Sequence, residues 1–316
     1  MMKSTLEDVR HSGNRSGRLA AVVAGLSLLL APSVFATFLN LGSVADYAVA
    51  GVGGSVSVQS EFEIYQSATV INGNVAQGPY TTLTHGIDAT VNGRWDYDLT
   101  DSNPAASGFT GTVTGGFHQI NLAGMAADAR AASTTAAAFA PTQTFASLDQ
   151  FDGVGAIIGG PGLNVIRVTG DSTIKNSLTL QGTATSQFLF QFTSPTTTGH
   201  DILSLSGATM NIGTINPDNI VWNFNGLGGD LNINAMAAGQ KVYGNFLAPE
   251  RNILSDHGIV EGRLIGGGSG QELSIHSGSE ITQPPTGPPP VIPEPTTMLF
   301  GVALVGFMGA SRRRSR

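Results

Sequence analysis

The residues best suited to acid–base chemistry lie close together near the end of the main domain. They are Asp256, His257 and Glu261, with Arg251 and Arg263 beside them. A carboxylate and an imidazole could serve as acid and base in a polysaccharide-cleaving β-helix. We favour turn chemistry at Asp256 and surface ion pairs at Arg251, Glu261 and Arg263. Because G-x-S-x-G, H-E-x-x-H and phosphate-loop motifs are missing and the chain has no cysteine, we predict that it is not an enzyme.

A second group of polar residues could bind a hard cation. The stretch from Asp96 to Asn103 is rich in carboxylate and hydroxyl oxygens, which Ca²⁺ prefers. An EF-hand-like loop would also need a turn glycine and a downstream glutamate, and neither is in position. No metal-site spacing is found among the histidines of the main domain, which are His85, His118, His200, His257 and His276. We therefore predict a solvated acidic turn and no cofactor, with Ca²⁺ as the alternative.

A third pattern is the alternation Thr110-x-Thr112-x-Thr114. In a strand, this spacing places three hydroxyls on one face. Ice binding requires a flat face on which such side chains repeat at strand spacing. Threonine is also an ordinary residue of exposed strands, and the sequence shows no equally spaced ladder of threonines. These three residues are the candidate binding face, and ice binding is an alternative function.

The N-terminus has the organisation of a secretory signal peptide. A charge-free run from Leu19 to Leu30 is followed by Val34 and Ala36, which suit the −3 and −1 positions of a signal peptidase site. A retained membrane helix is disfavoured, because at 1.5 Å per residue the run is too short for about 30 Å of hydrocarbon. We predict cleavage after Ala36. Basic residues precede the run: Lys3, Arg10, Arg15 and Arg18.

The C-terminus combines three features in a fixed order. A proline-rich spacer at 281–292 precedes Pro293-Glu294-Pro295, and a short apolar stretch from Thr296 to Ala310 follows. The chain ends in basic residues expected on the cytoplasmic side, Arg312, Arg313, Arg314 and Arg316. Residues 293–316 resemble the PEP-CTERM sorting signal. The resemblance implies export in a Gram-negative bacterium, transient inner-membrane anchoring, processing by an exosortase-type protease, and residence at the cell surface or in the extracellular matrix. A plain C-terminal anchor is the alternative.

The charge balance of the main domain excludes some partners. Between Thr37 and Pro293 there are 7 basic and 19 acidic residues, a net charge near −12. Such a domain is poorly suited to nucleic acid or to an anionic lipid surface.

Residues 37–280 are predicted to form one all-β domain. Short apolar runs alternate with Gly, Asn, Asp or Ser, as in Leu178–Leu180, Ile202–Leu205 and Ile220–Phe224. Strands this short favour a parallel β-helix, with a β-sandwich or jelly roll as the alternative. The alanine-rich stretch from Ala126 to Ala140 predicts one helix, capped by Asn121 and packed against the sheet.

The order of these segments resembles two related groups of proteins. The resemblance rests on the Val70–Val75 segment, the alanine-rich helix, Asn219–Phe224 and Tyr243–Pro249. The groups are the choice-of-anchor A surface proteins and the bacterial ice-binding and adhesin-like β-solenoids. The resemblance implies a right-handed β-helix with a long helix beside it. We thus predict an exported, non-enzymatic surface or matrix adhesin, with exopolysaccharide or ice as its ligand. The alternatives are an ice-binding protein and a carbohydrate-active β-helix enzyme.

Overall fold

The computed structural model describes residues 39–55, 60–64, 68–85, 88–101, 109–193 and 200–284, which belong to one compact unit. The strand pairings of these residues are parallel, and successive strands turn from one face of a coil to the next. The described part is therefore a parallel β-helix. This confirms the predicted fold class, and the alternative of two packed antiparallel sheets is wrong.

The coils have three faces. Face A consists of β1 (Val49–Gly51), β4 (Val75–Gln77), β7 (Trp95–Asp98), β9 (Phe117–Ile120), β10 (Gln143–Phe145), β12 (Gly162–Val168), β15 (Ser186–Phe192), β18 (Ile220–Phe224), β20 (Val242–Ala248) and β22 (Ile259–Gly266). Face B consists of β2 (Ser60–Ile64), β5 (Thr81–His85), β13 (Ser172–Ile174), β16 (Asp201–Ser206), β19 (Asp230–Asn234), β21 (Ile253–Asp256) and β23 (Glu272–His276).

Face C completes each coil. It consists of β3 (Val70–Asn72), β6 (Thr90–Val91), β8 (Thr112–Val113), β11 (Ile157–Ile158), β14 (Ser177–Gln181), β17 (Thr209–Asn211) and β24 (Glu280–Thr282). On this face, the first residues of β20 and β22 lie between β17 and β24. The N–H of Met210 in β17 donates to the carbonyl of Lys241, which precedes β20, and Ile259 of β22 pairs with Glu280 of β24. Three short 3-10 turns connect strands: η1 (Gly42–Asp46), η2 (Asp149–Phe151) and η3 (Pro217–Asn219).

The coils do not stack in chain order. The last coil lies directly on the first, so that β22 pairs with β1, β23 with β2 and β24 with β3. We call this set of pairings the seam. From the seam, the N-terminal coils continue through β4 and β7 to β9 at one end. The C-terminal coils begin with β10 at the other end and return to the seam.

Helix α1 (Met125–Ala138) joins the two ends along face A. It matches the predicted helix within a few residues, but the predicted cap is wrong. Gly124 occupies the N-cap position, while the side chain of Asn121 accepts a hydrogen bond from the Ala123 N–H in the preceding turn. Alanines on its buried side let the helix approach face A closely. Within the described residues, no helix has the length and apolarity needed to cross a membrane.

The interior is a ladder of apolar side chains, one from each coil. Consecutive partners on face A are Ile166, Phe190, Trp222, Phe246, Leu264, Val49, Val75, Trp95 and Phe117. A second core lies between face A and α1, where Val165, Leu189, Val221, Leu247 and Ile265 are buried with the helix alanines. This part of face A is therefore covered on both sides and is closed to solvent.

Candidate binding face

Face C contains a short repeat in three consecutive coils. The copies are Ile71-Asn72-Gly73, Val91-Asn92-Gly93 and Val113-Thr114-Gly115. In the first two copies the apolar residue is fully buried, whereas the polar residue after it lies outward. The glycine forms the corner toward face A. A Cβ atom on Gly93 would lie 2.3 Å from the Gly73 carbonyl oxygen, so a side chain has no room there.

The repeat creates two outward columns of uncharged side chains. Val70, Thr90 and Thr112 are in register in one column, and the second contains the Asn, Asn and Thr of the repeat. Asn92 Nδ2 donates to Asn72 Oδ1 at 2.8 Å, and Asn72 Nδ2 donates to Thr282 Oγ1 at 3.1 Å. These hydrogen bonds orient the carboxamides along the face. We call the following residues the polar ladder: Asn72, Thr90, Asn92, Thr112, Thr114 and Thr282.

Beyond the seam, face C becomes charged. Lys241 Nζ lies 3.1 Å from Glu261 Oε2 and 5.6 Å from the ring centre of Tyr243. The hydrogen bond to Glu261 raises the pKa of Lys241, so this amine stays protonated. Glu280 is exposed in β24, and its Oε1 accepts hydrogen bonds at 3.4 Å from two residues of the polar ladder, Asn72 and Thr282. The uncharged area is therefore confined to the N-terminal coils, because Glu280 places a charge within the seam itself.

An open cleft of about 490 Å³ borders the polar ladder at the corner between faces C and A. Its walls offer amides, one carboxylate and the guanidinium of Arg94, whose pKa is raised by its hydrogen bond with Asp96. These groups supply both donors and acceptors, which suits a ligand with many hydroxyls. We call it the corner cleft; it is lined by Asp46, Asn72, Gly73, Asn74, Asn92, Arg94, Gln283 and Pro284.

All three predicted threonines are exposed, but they do not share one strand. Thr112 lies in β8 and Thr114 directly follows it, both on face C. Thr110 lies before the strand. The ring of the preceding residue, Phe109, packs 5.0 Å from the Trp95 ring, and the chain bends at Gly111 before β8 begins. The predicted five-residue strand is therefore too long. Binding by these threonines stays a prediction.

The candidate acid–base residues lie on different faces. Asp256 ends β21 on face B, and its Oδ1 lies 2.9 Å from Nδ1 of His257. Glu261 lies on face C, where it pairs with Lys241. The structure thus brings Asp256 and His257 together but not Glu261.

The two neighbouring arginines are not surface residues, and that prediction is wrong. Arg251 is 1% exposed and donates to the backbone carbonyls of Gly229 and Asn225, which belong to a glycine-rich turn. Burial lowers its pKa. Arg263 is 5% exposed, because the segment before β1 covers it and the Ala45 carbonyl accepts a hydrogen bond from its Nε. Its guanidinium forms an ion pair with Asp218. Both guanidiniums therefore support the fold rather than a solvent-facing site.

The described carboxylates of the acidic stretch are also buried, contrary to the predicted solvated turn. Asp96 and Asp98 lie in β7 and are each 1% exposed, because η1 and the turn before α1 cover this end of face A. Asp96 accepts hydrogen bonds from Tyr47 at 2.8 Å and Arg94 at 2.6 Å, while Asp98 accepts one from the Leu122 N–H at 2.6 Å. Burial and the contact with Asp96 raise the pKa of Tyr47 to about 12. Such donors compensate for the desolvation of a buried carboxylate.

Several predicted features lie outside the described residues and stay predictions. They are the signal-peptide positions Val34 and Ala36, the tripeptide Pro293-Glu294-Pro295, the terminal Arg312, Arg313, Arg314 and Arg316, and positions 102–103 of the acidic stretch.

A β-helix with one helix-covered face and one face of ordered polar side chains belongs to the class of parallel β-solenoids. The family model of the ice-binding-like adhesive domain matches residues 37–277, and the chain belongs to this family. This confirms the ice-binding and adhesin-like part of the resemblance. No curated protein matches the chain.

Solved structures of ice-binding proteins resemble the chain at low sequence identity. One from Shewanella frigidimarina has 17% identity and a TM-score of 0.50, covering 78% of this chain and 98% of its own. One from the ascomycete Antarctomyces psychrotrophicus has 18% identity and a TM-score of 0.48, covering 78% and 99%. One from an Arctic yeast has 17% identity and a TM-score of 0.49, covering 81% and 98%. At such identities the likeness concerns the fold alone.

Proposed function

We propose that this chain is a non-enzymatic adhesive domain that binds a hydroxyl-rich polymer, such as an exopolysaccharide, through face C. The observation that carries the proposal is the polar ladder, whose carboxamides are oriented by side-chain hydrogen bonds and open to solvent beside the corner cleft. Membership of an adhesive family supports a binding role over a catalytic one.

The chemistry of the polar ladder suits sugar hydroxyls. A carboxamide offers two donors and an acceptor, and a threonine hydroxyl donates and accepts, so each can pair with a hydroxyl in either sense. Neighbouring coils repeat these groups at the strand spacing of about 4.8 Å. A polymer lying along the face would therefore meet similar groups coil after coil.

Binding can be tested with two matched threonine variants of the full chain. Thr112 lies on face C, and Thr173 is an exposed outward threonine of β13 on face B. Retention on insoluble polysaccharides and calorimetry with their soluble fragments would give affinities. We expect T112Y to weaken binding at least tenfold and T173Y to leave it unchanged. Equal affinities of both variants and the wild type would exclude the polar ladder as the binding surface.

Ice is a second candidate ligand, favoured by the uncharged Thr90 and Thr112 column in register. The charged Lys241, Glu261 and Glu280 confine the array to part of face C. Ice affinity and thermal hysteresis should be measured with the same variants. Hysteresis that T112Y removes and T173Y retains would assign face C to ice, whereas its absence in the wild type would eliminate ice.

We also propose that the protein is an exported surface protein of the PEP-CTERM and choice-of-anchor A type. The sequence supports signal peptidase cleavage after Ala36 and exosortase processing near Pro293-Glu294-Pro295, after transient inner-membrane anchoring. In an exosortase-bearing Gram-negative host, mass spectrometry of the released protein should show loss of both ends. Alanine substitution of the tripeptide should retain the protein in the membrane, whereas Pro288→Ala in the spacer should not.

A further inference from the structure

Three potential metal ligands meet on face B at the seam. Glu63 belongs to β2, whereas Glu272 and His276 belong to β23. One ligand atom from each residue can be chosen so that all three lie within 4.8 Å of one another. The residues of this cluster come from distant parts of the sequence, since Glu63 and His276 are 213 residues apart. They meet because the last coil stacks on the first.

The strand register explains why the three side chains converge. Phe62 and Ile64 are buried opposite Leu273 and Ile275, so the residues between them point outward together. Glu63 is therefore directly opposite Ser274, with Glu272 and His276 two residues to either side on the same face.

The cluster is compact and partly exposed. His276 Nε2 lies 2.9 Å from Glu63 Oε2, and their side chains are 18% and 12% exposed. The Ser274 hydroxyl contacts both carboxylates, Glu63 at 3.5 Å and Glu272 more closely. A hydroxyl has only one hydrogen, so it can donate to one carboxylate at a time. The Ser274 hydroxyl therefore cannot donate to Glu63 and Glu272 at the same time, and a cation between the two carboxylates would reduce their mutual repulsion.

The surrounding face adds negative potential. The seven strands of face B contain six acidic residues and no Lys or Arg. Within the cluster's neighbourhood, Glu61 is in register with Glu272, and Asp256 is in register with His276. The pKa of Asp230 is raised, mainly by burial, and repulsion from Asp201 and Glu272 adds to the rise.

We propose that Glu63, Glu272 and His276 bind a divalent transition-metal cation of the Zn²⁺ class, which ties the last coil to the first. An imidazole nitrogen with carboxylate oxygens is a ligand set that Zn²⁺ accepts, whereas Ca²⁺ and Mg²⁺ use oxygen ligands. A tetrahedral ion with ligand distances near 2.1 Å needs ligand atoms roughly 3.4 Å apart. The ligand atoms of the cluster lie within 4.8 Å of one another, which is near this spacing.

A metal at this position would stabilise the seam. No peptide connection crosses the seam locally, and the chain has no cysteine for a disulfide. An ion bound only by the stacked coils would favour the closed seam by mass action.

The site can be tested with the full chain after removal of metal by a chelator. Zn²⁺ titration calorimetry should give one ion per chain, and Co²⁺ should produce visible d–d absorption bands. Glu63→Gln and His276→Gln should each weaken Zn²⁺ binding at least tenfold. The matched control is His200→Gln, which removes an exposed histidine beside β16 on the same face and should change the affinity less than twofold.

Hydrogen exchange in the wild type provides a test that does not depend on the variants folding. Zn²⁺ should slow amide exchange in β2 and β23 more than in β13, which lies away from the seam. The proposal is overturned if the wild type binds no Zn²⁺, if His276→Gln retains its affinity, if the His200 variant loses as much, or if β2 and β23 gain no protection.

Discussion

Trp222 should make one of the largest single contributions to the stability of the domain. Its ring is fully buried and stacks between Phe190 and Phe246, with centroid distances of 4.1 and 5.6 Å and interplanar angles of 8° and 4°. Its Nε1–H also donates to the Tyr243 carbonyl at 2.9 Å. The side chain therefore contributes area, stacking and one buried hydrogen bond.

Two variants separate these contributions. W222A removes all of them and should lower the free energy of unfolding by about 4–5 kcal/mol, the upper range for a buried tryptophan. W222F retains a ring in the stack but leaves the Tyr243 carbonyl without its donor, and should cost about 1–2 kcal/mol. Leu227→Ala, at a residue that is 55% exposed, is the control and should change stability by less than about 0.5 kcal/mol.

Urea unfolding followed by far-UV circular dichroism would measure these differences. Fluorescence is unsuitable, because the chain has only two tryptophans and the variants remove one. The reasoning would be refuted if W222A cost less than about 2 kcal/mol, or no more than W222F, because the stack would then contribute little.

Three further perturbations test other parts of the structure. Gly262→Ala would place a Cβ 1.8 Å from the Gly244 carbonyl oxygen and should lower the free energy of unfolding in urea by about 3 kcal/mol, whereas Gly160→Ala, whose Cβ would have no atom within 4 Å, should have little effect. The pKa of Tyr47 is raised to about 12, so the contribution of its protonated hydroxyl to the folding free energy is complete below pH 10 and is lost as pH rises toward 12. The urea unfolding midpoint should therefore fall more steeply across this range in the wild type than in Tyr47→Phe. Hydrogen bonds from Ser43 in η1 lower the pKa of Asp128, so its carboxylate stabilises the fold above pH 3.8, and this contribution is lost as pH falls through the lowered pKa of the folded state. Asp128→Asn should lower the free energy of unfolding by about 1 kcal/mol at pH 7 and by much less at pH 3.

The solenoid could be predicted because its strands carry a local signal. The run Ile220–Phe224 is a buried strand over the same residues, and Trp222 lies in the core as expected for an aromatic residue in an apolar run. Parallel strands buried on both sides are rich in apolar residues, and this pattern depends only on near neighbours in the sequence. The alanine-rich helix was predicted for the same reason.

The repeat behind the polar ladder was missed because coils differ in length. The corner glycines Gly73, Gly93 and Gly115 are 20 and 22 residues apart, whereas Gly244 and Gly262 are 18 apart. A search for a fixed period fails on such spacing. The motif of an apolar residue, a polar residue and glycine would have revealed Asn72 and Asn92 as candidates together with Thr114.

The seam could not be predicted, because no local pattern states which coil contacts which. Leu264 packs in register with Val49, but an apolar side chain of this size would suit any interior position of the ladder. The burial of charged residues such as Arg251 could not be predicted for a related reason. Arg251 follows a turn and so has the sequence context of a surface residue, yet Gly228 leaves room for its guanidinium, since a Cβ there would lie 2.5 Å from Nη1.

The helix explains how a discontinuous solenoid is possible and why the proposed ligand face is not face A. Its 14 residues span about 21 Å, or roughly four coil spacings, so α1 and its flanking loops carry the chain from β9 back to β10. That return path crosses face A and buries its outward apolar residues. The two remaining faces differ in chemistry: face C presents an uncharged ladder near the N-terminal coils, whereas face B is acidic around the seam. Recognition and closure of the solenoid would therefore depend on separate surfaces, and T112Y and His276→Gln should each impair one without the other.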